Sequence, residues 1–384
     1  MAGYHSFSPP NPTARSTIIC LGSDSPWLVN HYFECLETHA MKQPLIQNYH
    51  KPLRIFGIMT MIVFFSITAA KAEVWSISLQ NDVVSGTDKH YTNGISYDWM
   101  SDLYNHNEMT ASNRSYVDFV YWVFRSIPYI SIGSEQVSAG FQIAQDIYTP
   151  ADTMEEELIE DDIPYAGHLY SKYSLFKWQE DAAEENYFRL GIVGPASGGE
   201  WVQKSFHRLI GNEEPQGWHH QLDNQVTLGV GYSRSMLFWK TTYTNGLSSD
   251  WAPSYGFEIG NFSTAAFAGF LFRFGRNYPQ KPVPTSVAEN VSLNNKLAYH
   301  SEDRDYGWLI SAGFFANVVG YTLIVDSSKD HDVERKNVFG AVVVGITFYL
   351  NHMEMTFSFQ EINMNINNSV VSNGLGALSF SLNS

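Results

Sequence analysis

Apolar and polar side chains alternate with a period of two in about a dozen segments between residue 73 and the end of the chain. In VWSISLQ, for example, Trp75, Ile77 and Leu79 fall on one face, and serines occupy the other. This is the side-chain period of a β-strand. The same pattern returns in GISYDWM, AGFQIAQDI, YFRLGIV, VTLGVGYS, AGFLFRFG, GWLISAGFFA, GAVVVGITFYL, MEMTFSFQ and GALSFSL. The sequence therefore predicts an all-β protein.

The character of the two faces selects a closed transmembrane β-barrel of about 12 antiparallel strands. Apolar and aromatic residues occupy one face, polar residues and glycine the other, and aromatic residues make up 15% of the chain. A soluble β-sandwich also alternates, but it would bury its apolar face between two sheets and needs no such aromatic excess. Mean hydropathy of −0.20 argues against a bundle of membrane helices. The strand count is open by one or two, because residues 235–275 divide into strands in two ways.

Residues 51–72 have the three parts of a secretory signal peptide. Basic Lys51 and Arg54 precede an apolar run over residues 55–67, and Ala70-Lys71-Ala72 forms a small-x-small cleavage site. The apolar run is too short to span a bilayer as a helix, and a buried core helix is the alternative. We expect cleavage after Ala72, with residues 1–72 an over-extended N-terminus plus signal peptide and residues 73–384 the outer-membrane barrel. Both cysteines, at positions 20 and 35, lie in the removed part.

The charge balance excludes one class of partner. The chain has 23 basic and 39 acidic residues and a formal net charge of −16. A nucleic-acid-binding protein needs a basic surface to neutralise phosphates, so we expect no nucleic-acid partner.

Three connections of this barrel are predicted to meet at one rim. If the first strand runs outward from the periplasm, the connections after Asn81, Tyr148 and Gly194 all emerge on the outer side. They carry the least strand-like and chemically richest segments: NDVVSGTDKHYTNG, QDIYTPADTMEEELIEDDIPYAG and GPASGGEWVQKSFHRLIGNEEPQGW. Loops gathered on one rim of a rigid scaffold are where a functional site is expected. The long connection at the opposite end contains VDFVYWVF, which reads as a short amphipathic helix at the inner interface.

The third of these loops holds the candidate base. Residues 201–210 have helical spacing, with Val202, Phe206, Leu209 and Ile210 forming an apolar stripe, and Gly211 can end the helix. Gln203 and His207 are four residues apart and share another face, and Glu213 follows the helix. A neutral histidine can take a proton from water. The chain downstream of residue 72 has no cysteine and no G-x-S-x-G elbow, so attack by an activated water is simpler than an acyl-enzyme.

Oxygen-bearing side chains are predicted at the same rim. Asn81 and Asp82 end the first strand, and Thr92 opens the second. Hard oxygen ligands such as these and Glu213 suit Ca²⁺, which would act as a Lewis acid on an ester carbonyl. Either Asp82 or Glu213 can instead orient the imidazole of His207, and the sequence does not choose between ligand and orienter.

Together, these motifs resemble those of the outer-membrane lipid A 3′-O-deacylases. NDVVSGTDKHYTNG, QDIYTPAD, DDIPYAGHLY and IVGPASGGEWVQKSFHRLIG…GWHHQL occur in the order and spacing of that family, from about Trp75 to the last strand. The resemblance implies a 12-stranded barrel that hydrolyses the 3′ ester of lipid A with help from Ca²⁺. It assigns the water-activating base to His207, the strand-one Asn-Asp pair to Asn81 and Asp82, and the Thr/Ser position, loop carboxylate and helix glutamine to Thr92, Glu213 and Gln203.

The same resemblance implies the partners and the location. The substrate is expected to be lipid A of lipopolysaccharide in the outer leaflet, with the active site facing the extracellular side of a bacterial outer membrane. Other outer-membrane lipids surround the barrel, and we expect a monomer. One segment departs from the family: where members carry a basic pair, this chain has acidic residues 155–157 and 160–162. An acidic rim repels phosphates unless divalent cations bridge them, so the head group of the substrate stays open.

Two rival functions come from other classes. An esterase or phospholipase acting on glycerophospholipids would use the same rim, and only the product distinguishes it. A non-enzymatic barrel or passive pore would not depend on His207, although about twelve strands leave little room for a channel.

Several other residues are assigned structural roles. His168 is expected to be a lumen residue, and Tyr148 and Tyr165 are expected to be girdle aromatics. The neighbours His219 and His220 are an unlikely metal pair, because adjacent side chains point apart.

Overall fold

The structure is a computed structural model of the whole chain, and the description is confined to part of it. It covers residues 73–82, 90–105, 115–127, 130, 136–284, 306–326, 331–334, 337–366 and 369–383. The predicted signal peptide and the residues before it lie outside these ranges, so that interpretation stays a prediction.

In the described ranges, thirteen strand segments form one antiparallel sheet that closes on itself. Consecutive strands pair from β1 to β6 and from β7 to β13, β1 also pairs with β13, and the β6–β8 pairing completes the ring. The segments are β1 (Val74–Asn81), β2 (His90–Met100), β3 (Gln136–Thr149), β4 (Ala166–Trp178), β5 (Ala182–Val193), β6 (Gln225–Met236), β7 (Trp239–Thr242), β8 (Leu247–Gly260), β9 (Ser263–Arg276), β10 (Tyr306–Thr322), β11 (Val338–Leu350), β12 (Met353–Ile366) and β13 (Ser369–Asn383).

The ambiguous stretch after residue 235 is explained by a broken strand. β6 pairs with β8 up to Ser235 opposite Ser254, and β7 resumes on the same partner with Trp239 opposite Trp251, a shift of one residue in register. β7 therefore continues β6 across a bulge and adds no strand to the ring. The closed barrel therefore has twelve strands, as the alternation predicted.

The two faces of the wall are sorted as the sequence predicted. Apolar side chains that point outward leave large areas exposed, as at Val226, Leu228 and Val230 on β6 and Phe257 and Ile259 on β8. Between them, small and polar residues such as Thr227 and Ser233 are buried on the inner side. Such an outward apolar surface suits contact with lipid tails.

The barrel lumen is filled by side chains. Near the end where β1 begins, the lumen holds an apolar cluster that includes Met100, Phe176, Trp178, Leu309 and Tyr349. A second, larger cluster at the other end includes Tyr148, Val193, Phe262, Phe315 and Val343. Between them, Lys172 pairs with Glu185 at 2.9 Å and Arg189 pairs with Glu258. A cavity of about 160 Å³ lies among these polar residues.

Three α-helices lie between the strands in the described ranges: α1 (Ser115–Arg125), α2 (Gly199–Ile210) and α3 (Leu323–Asp326). α1 is the predicted amphipathic helix. It buries Val120 and Phe124 against residues of β3 and β4 and leaves Phe119 and Trp122 exposed. Within the described ranges, no helix is both long and apolar enough to cross a membrane.

β1, β3 and β5 all end at the same end of the barrel, which we call the loop end. Residues 83–89 of the predicted first loop lie outside the described ranges. The β3–β4 and β5–β6 connections are joined directly. The amide of Gln216 donates to the carbonyl of Thr153 at 2.9 Å, and the amide of Leu222 donates to the carbonyl of Tyr165 at 2.9 Å. The prediction that loops distant in sequence meet at one rim is therefore confirmed for these two.

Candidate active site

α2 presents its polar face to the protein. Gly199, Gln203, His207 and Ile210 are its buried residues, whereas Trp201 is 72% and Leu209 54% exposed. The predicted helix is confirmed, but Leu209, counted in its apolar stripe, points away from the protein. The face that carries Gln203 and His207 is the one that packs. The reason is the position of the helix, which lies against the outward, apolar side of the wall.

Two contacts fix α2 on that wall. The side-chain amide of Gln145, on the outward side of β3, donates to the carbonyl of Ser197 at 2.6 Å, just before the helix. Gly199 in the first turn packs against Gly167 on β4 so closely that a Cβ on Gly199 would lie 2.7 Å from the Gly167 Cα. The pair of glycines therefore lets the helix backbone touch the strand.

The end of α2 orients the imidazole of His207. Gly211 adopts φ 73° and reverses the chain, and the amide of Asn212 donates to the carbonyl of His207 at 2.9 Å. This reversal brings the main-chain carbonyl of Glu213 to 2.5 Å from His207 Nδ1. A carbonyl can only accept, so Nδ1 carries the proton and Nε2 carries the lone pair. His207 is 3% exposed, and its ring is held in the tautomer that a base acting through Nε2 requires.

The second polar residue of this face is held by a tryptophan. The indole Nε1 of Trp218 donates to Oε1 of Gln203 at 2.8 Å, and both residues are 1% exposed. Trp218 packs with Ile147 of β3, Tyr165 and Val202. Nε2 of Gln203 is buried and has no hydrogen-bond partner among the residues that the structure describes.

A β-bulge places Thr92. The register between β2 and β3 shifts between Tyr91, opposite Tyr148, and Asn93, opposite Ile147, so Thr92 is the extra residue. Tyr91 consequently turns into the lumen, where its hydroxyl donates to Asp146 at 2.9 Å. The hydroxyl of Thr92 lies 2.7 Å from that of Thr149, on the opposite side of the wall from Tyr148. Without the bulge, strict alternation would direct Thr92 into the lumen.

Asn81 and Asp82 stand at the end of β1 beside this bulge. The side-chain amide of Asn81 donates to the main-chain carbonyl of Thr92 at 3.2 Å, and Asp82 is fully buried. Asn81 lies opposite Asn93, which in turn lies opposite Ile147. Ile147 packs with Trp218, which holds Gln203. The residues at the end of β1 and those of α2 therefore approach the same stretch of β3 from its two sides.

Glu213 differs from its prediction in one respect. It contributes its main-chain carbonyl to His207, while the residue itself is exposed. No group of three or more His, Cys, Asp or Glu arranged to hold a metal occurs in the described ranges. Any cation site here must therefore include other oxygen donors. The buried carboxylate of Asp82, the hydroxyl of Thr92 and the amide oxygen of Asn81 are hard donors of the kind that Ca²⁺ takes.

The structure assigns different places to the residues given simpler readings. His168 is a lumen residue, as predicted: it is buried, stacks on Phe262 at 3.8 Å and lies 2.9 Å from the Thr227 hydroxyl. The girdle interpretation was wrong for Tyr148 and Tyr165. Tyr148 is buried in the lumen cluster, and Tyr165 is buried against Trp218.

Sequence reasoning missed Trp218, Gln145 and Thr149. Trp218 had a signal, since a tryptophan in an otherwise polar loop requires a partner for both its ring and its N–H. Gln145 and Thr149 had none, because a polar residue near the end of a strand reads equally well as exposed.

Comparison with known proteins gives the family. The model of the family described as outer membrane protein LpxR matches residues 55–384. The solved structure of LpxR from Salmonella typhimurium is similar with a TM-score of 0.62 and 16% identity, over 80% of this chain and 99% of that one. The β domain of the Bordetella autotransporter BrkA aligns with a TM-score of 0.38 and 8% identity, over 81% of this chain and 99% of that one. No curated protein sequence matches significantly.

The structural similarity shows the fold of a twelve-stranded outer-membrane barrel, and the family match extends over the whole barrel and the residues just before it. The chain belongs to the LpxR family of outer-membrane proteins.

Proposed function

We propose that this protein is an outer-membrane hydrolase that removes the 3′-linked acyl (acyloxyacyl) group from lipid A of lipopolysaccharide, with its site on the extracellular side. One observation carries the proposal. α2 turns Gln203 and His207 towards the barrel wall, and the carbonyl of Glu213 holds His207 in the tautomer of a base. The amide nitrogen of Gln203 is buried and has no partner among the described residues, and a buried donor left in this state is costly unless a ligand accepts from it.

The reaction follows from these two side chains. Nε2 of His207 accepts a proton from water as the water oxygen attacks the ester carbonyl carbon. The amide nitrogen of Gln203 donates to the oxyanion that forms on the carbonyl oxygen. The tetrahedral intermediate then collapses, the bond to the sugar oxygen breaks, and the imidazolium returns its proton to that oxygen. The products are a fatty acid and the 3′-hydroxyl of the sugar.

Four oxygen-bearing side chains complete the proposed site. Asp82, Thr92 and Asn81 would hold Ca²⁺ together with the carboxylate of Glu213, and this donor set fits a hard cation. The bound ion would supply a Lewis acid that polarises the ester carbonyl. Asn81 also ties β1 to the Thr92 bulge, so its side chain positions the other two donors.

The acidic β3–β4 loop bears on the substrate. Glu155, Glu156 and Glu157 are exposed, and the loop is joined to the Trp218 turn through Thr153 and Gln216. Phosphates of lipid A would be repelled by this rim, and divalent cations would bridge the two. We therefore expect removal of divalent cations to weaken substrate binding as well as catalysis.

The test is the mass of lipid A from a Gram-negative host that carries the protein in its outer membrane. Wild-type protein should remove the 3′-acyl group, and His207→Ala should lower the rate by about 100- to 10,000-fold, the usual range for loss of a general base. His352→Ala is the matched control, because His352 is exposed in the β11–β12 turn at the opposite end of the barrel. Chelation of Ca²⁺ in the assay should also stop the reaction.

Two outcomes would overturn this assignment. If folded wild-type protein leaves lipid A intact but releases fatty acid from glycerophospholipids in a His207-dependent way, the chain is a phospholipid esterase on the same scaffold. If neither lipid changes, the barrel is non-enzymatic.

A further inference from the structure

The contact between Trp218 and Gln203 fixes which way the amide of Gln203 faces. The two atoms, indole Nε1 and amide Oε1, are 2.8 Å apart in a fully buried setting. Amide oxygen and nitrogen are usually assigned from the hydrogen-bond network. Here the chemistry leaves one choice, because the indole N–H is only a donor and must face the amide oxygen.

The amide nitrogen of Gln203 is consequently turned away from Trp218. It is buried and finds no acceptor in the described part of the chain. A buried donor without a partner costs about 1–3 kcal/mol, so its retention calls for an explanation. Gln203 and His207 lie one turn apart on the buried face of α2, so the amide and the imidazole share that face.

Trp218 is itself held firmly by the neighbouring loop. Its ring packs against Tyr165 with the centroids 5.0 Å apart, and the hydroxyl of Tyr165 donates to the carbonyl of Thr153 at 3.0 Å. A Cβ on Gly217, the preceding residue, would lie 2.7 Å from the Tyr165 ring. The indole therefore has little freedom to move, and it transmits the position of the β3–β4 loop to Gln203.

On the basis of the proposed function, we infer that Trp218 is a positioning residue that keeps the amide nitrogen of Gln203 directed at the oxyanion. If the indole N–H is lost, the amide can rotate by half a turn. Its oxygen would then face the developing negative charge and destabilise the transition state. Trp218 itself is not part of the proposed reaction, so we expect the loss of its N–H to act through Gln203.

A double-mutant cycle tests this route. Trp218→Phe keeps an aromatic ring and removes the N–H, and Gln203→Leu removes the donor. In a deacylation assay with the full protein in detergent micelles, we expect Gln203→Leu to lower kcat by about 100- to 1,000-fold. Trp218→Phe should lower kcat by about tenfold with little change in KM, and should cost nothing further in the Gln203→Leu background. Trp239→Phe, on the short strand β7, is the matched control with unchanged kcat.

The indole resonance gives a second readout. The ¹H–¹⁵N signal of Trp218, assigned by its loss in Trp218→Phe, should move in Gln203→Leu and stay in place in Gln145→Leu. If the Trp218 signal has the same chemical shifts in Gln203→Leu as in the wild type, the hydrogen bond between the two side chains is absent and the inference is wrong.

The possible failures are distinguishable. If wild-type protein is active and Trp218→Phe loses the same factor in both backgrounds, Trp218 only supports the loop and this inference is wrong. If the folded wild-type protein deacylates no lipid A, the proposed function fails and this inference fails with it.

Discussion

The imidazole of His207 is oriented by the main chain. The sequence offered two carboxylates, Asp82 and Glu213, as the group that fixes its second nitrogen. The structure uses the carbonyl of Glu213, which reaches Nδ1 because Gly211 reverses the chain directly after α2. Since a carbonyl survives any side-chain substitution, the tautomer of His207 does not depend on the identity of residue 213.

This leads to a prediction for Glu213→Gln. We expect kcat at saturating Ca²⁺ to stay within about threefold of wild type and the pH profile of kcat to be unchanged, because the Nδ1 contact persists. The Ca²⁺ concentration for half-maximal activity should rise, because the proposed site loses a charged ligand. Glu214→Gln is the matched control, since Glu214 pairs with Arg208 on the surface at 3.1 Å. A displaced pH profile in Glu213→Gln alone would show that the carboxylate acts on the imidazole.

At the scale of elements, α2 buries the face that a helical wheel would leave in solvent. Its other face, with Trp201 and Leu209, is exposed on the outward side of the barrel wall. The usual rule that apolar residues point inward assumes water outside, and it does not hold where the surroundings are lipid. The spacing of Gln203 and His207 predicted that they share a face, but only the packing of the helix shows that this face meets β3 and β4.

The glycine contact under α2 can be tested directly. Gly199→Ala would place a methyl group 2.7 Å from Gly167 Cα and 3.1 Å from the Trp218 ring, so the helix must shift. We expect activity to fall by about 10- to 100-fold, because small displacements of catalytic groups are costly, with about 1–3 kcal/mol of local destabilisation. The measurement is the deacylation rate of folded protein. Gly320→Ala on β10 is the control, since its Cβ would meet nothing closer than 3.6 Å. Equal activity in both variants would contradict a packed helix.

At the scale of the whole molecule, the barrel is a wall with its lumen occupied. Apolar clusters fill the lumen at both ends. Buried ion pairs, including Arg273 with Asp250 at 2.7 Å, also lie inside the barrel. The candidate site is on the outside of this wall at the loop end, so the proposed chemistry needs no passage through the lumen. This arrangement disfavours a function as a passive pore, since the interior of a twelve-stranded barrel can be filled by side chains.

We therefore expect no stable ion conductance from the reconstituted protein. Purified wild-type barrel inserted into a planar bilayer should give no step currents at moderate voltage, while a general porin in the same preparation gives them. Lipid A deacylation by the same sample would establish that the inserted protein is folded. Regular steps that persist in His207→Ala would favour the pore over the hydrolase.

The sequence alone determined the barrel and the identity of most candidate site residues. A period of two sorts side chains to two faces regardless of distant contacts, and helical spacing places Gln203 and His207 together. The sequence did not predict the bulge at Thr92, the packing of the polar face of α2 on the barrel wall, the carbonyl that holds His207 or the tryptophan that holds Gln203. Each of these depends on segments far apart in the chain, such as Ile147, Tyr165 and Trp218, that meet only after the wall has closed. Local pattern fixes which face a residue shares, and tertiary packing decides what that face touches.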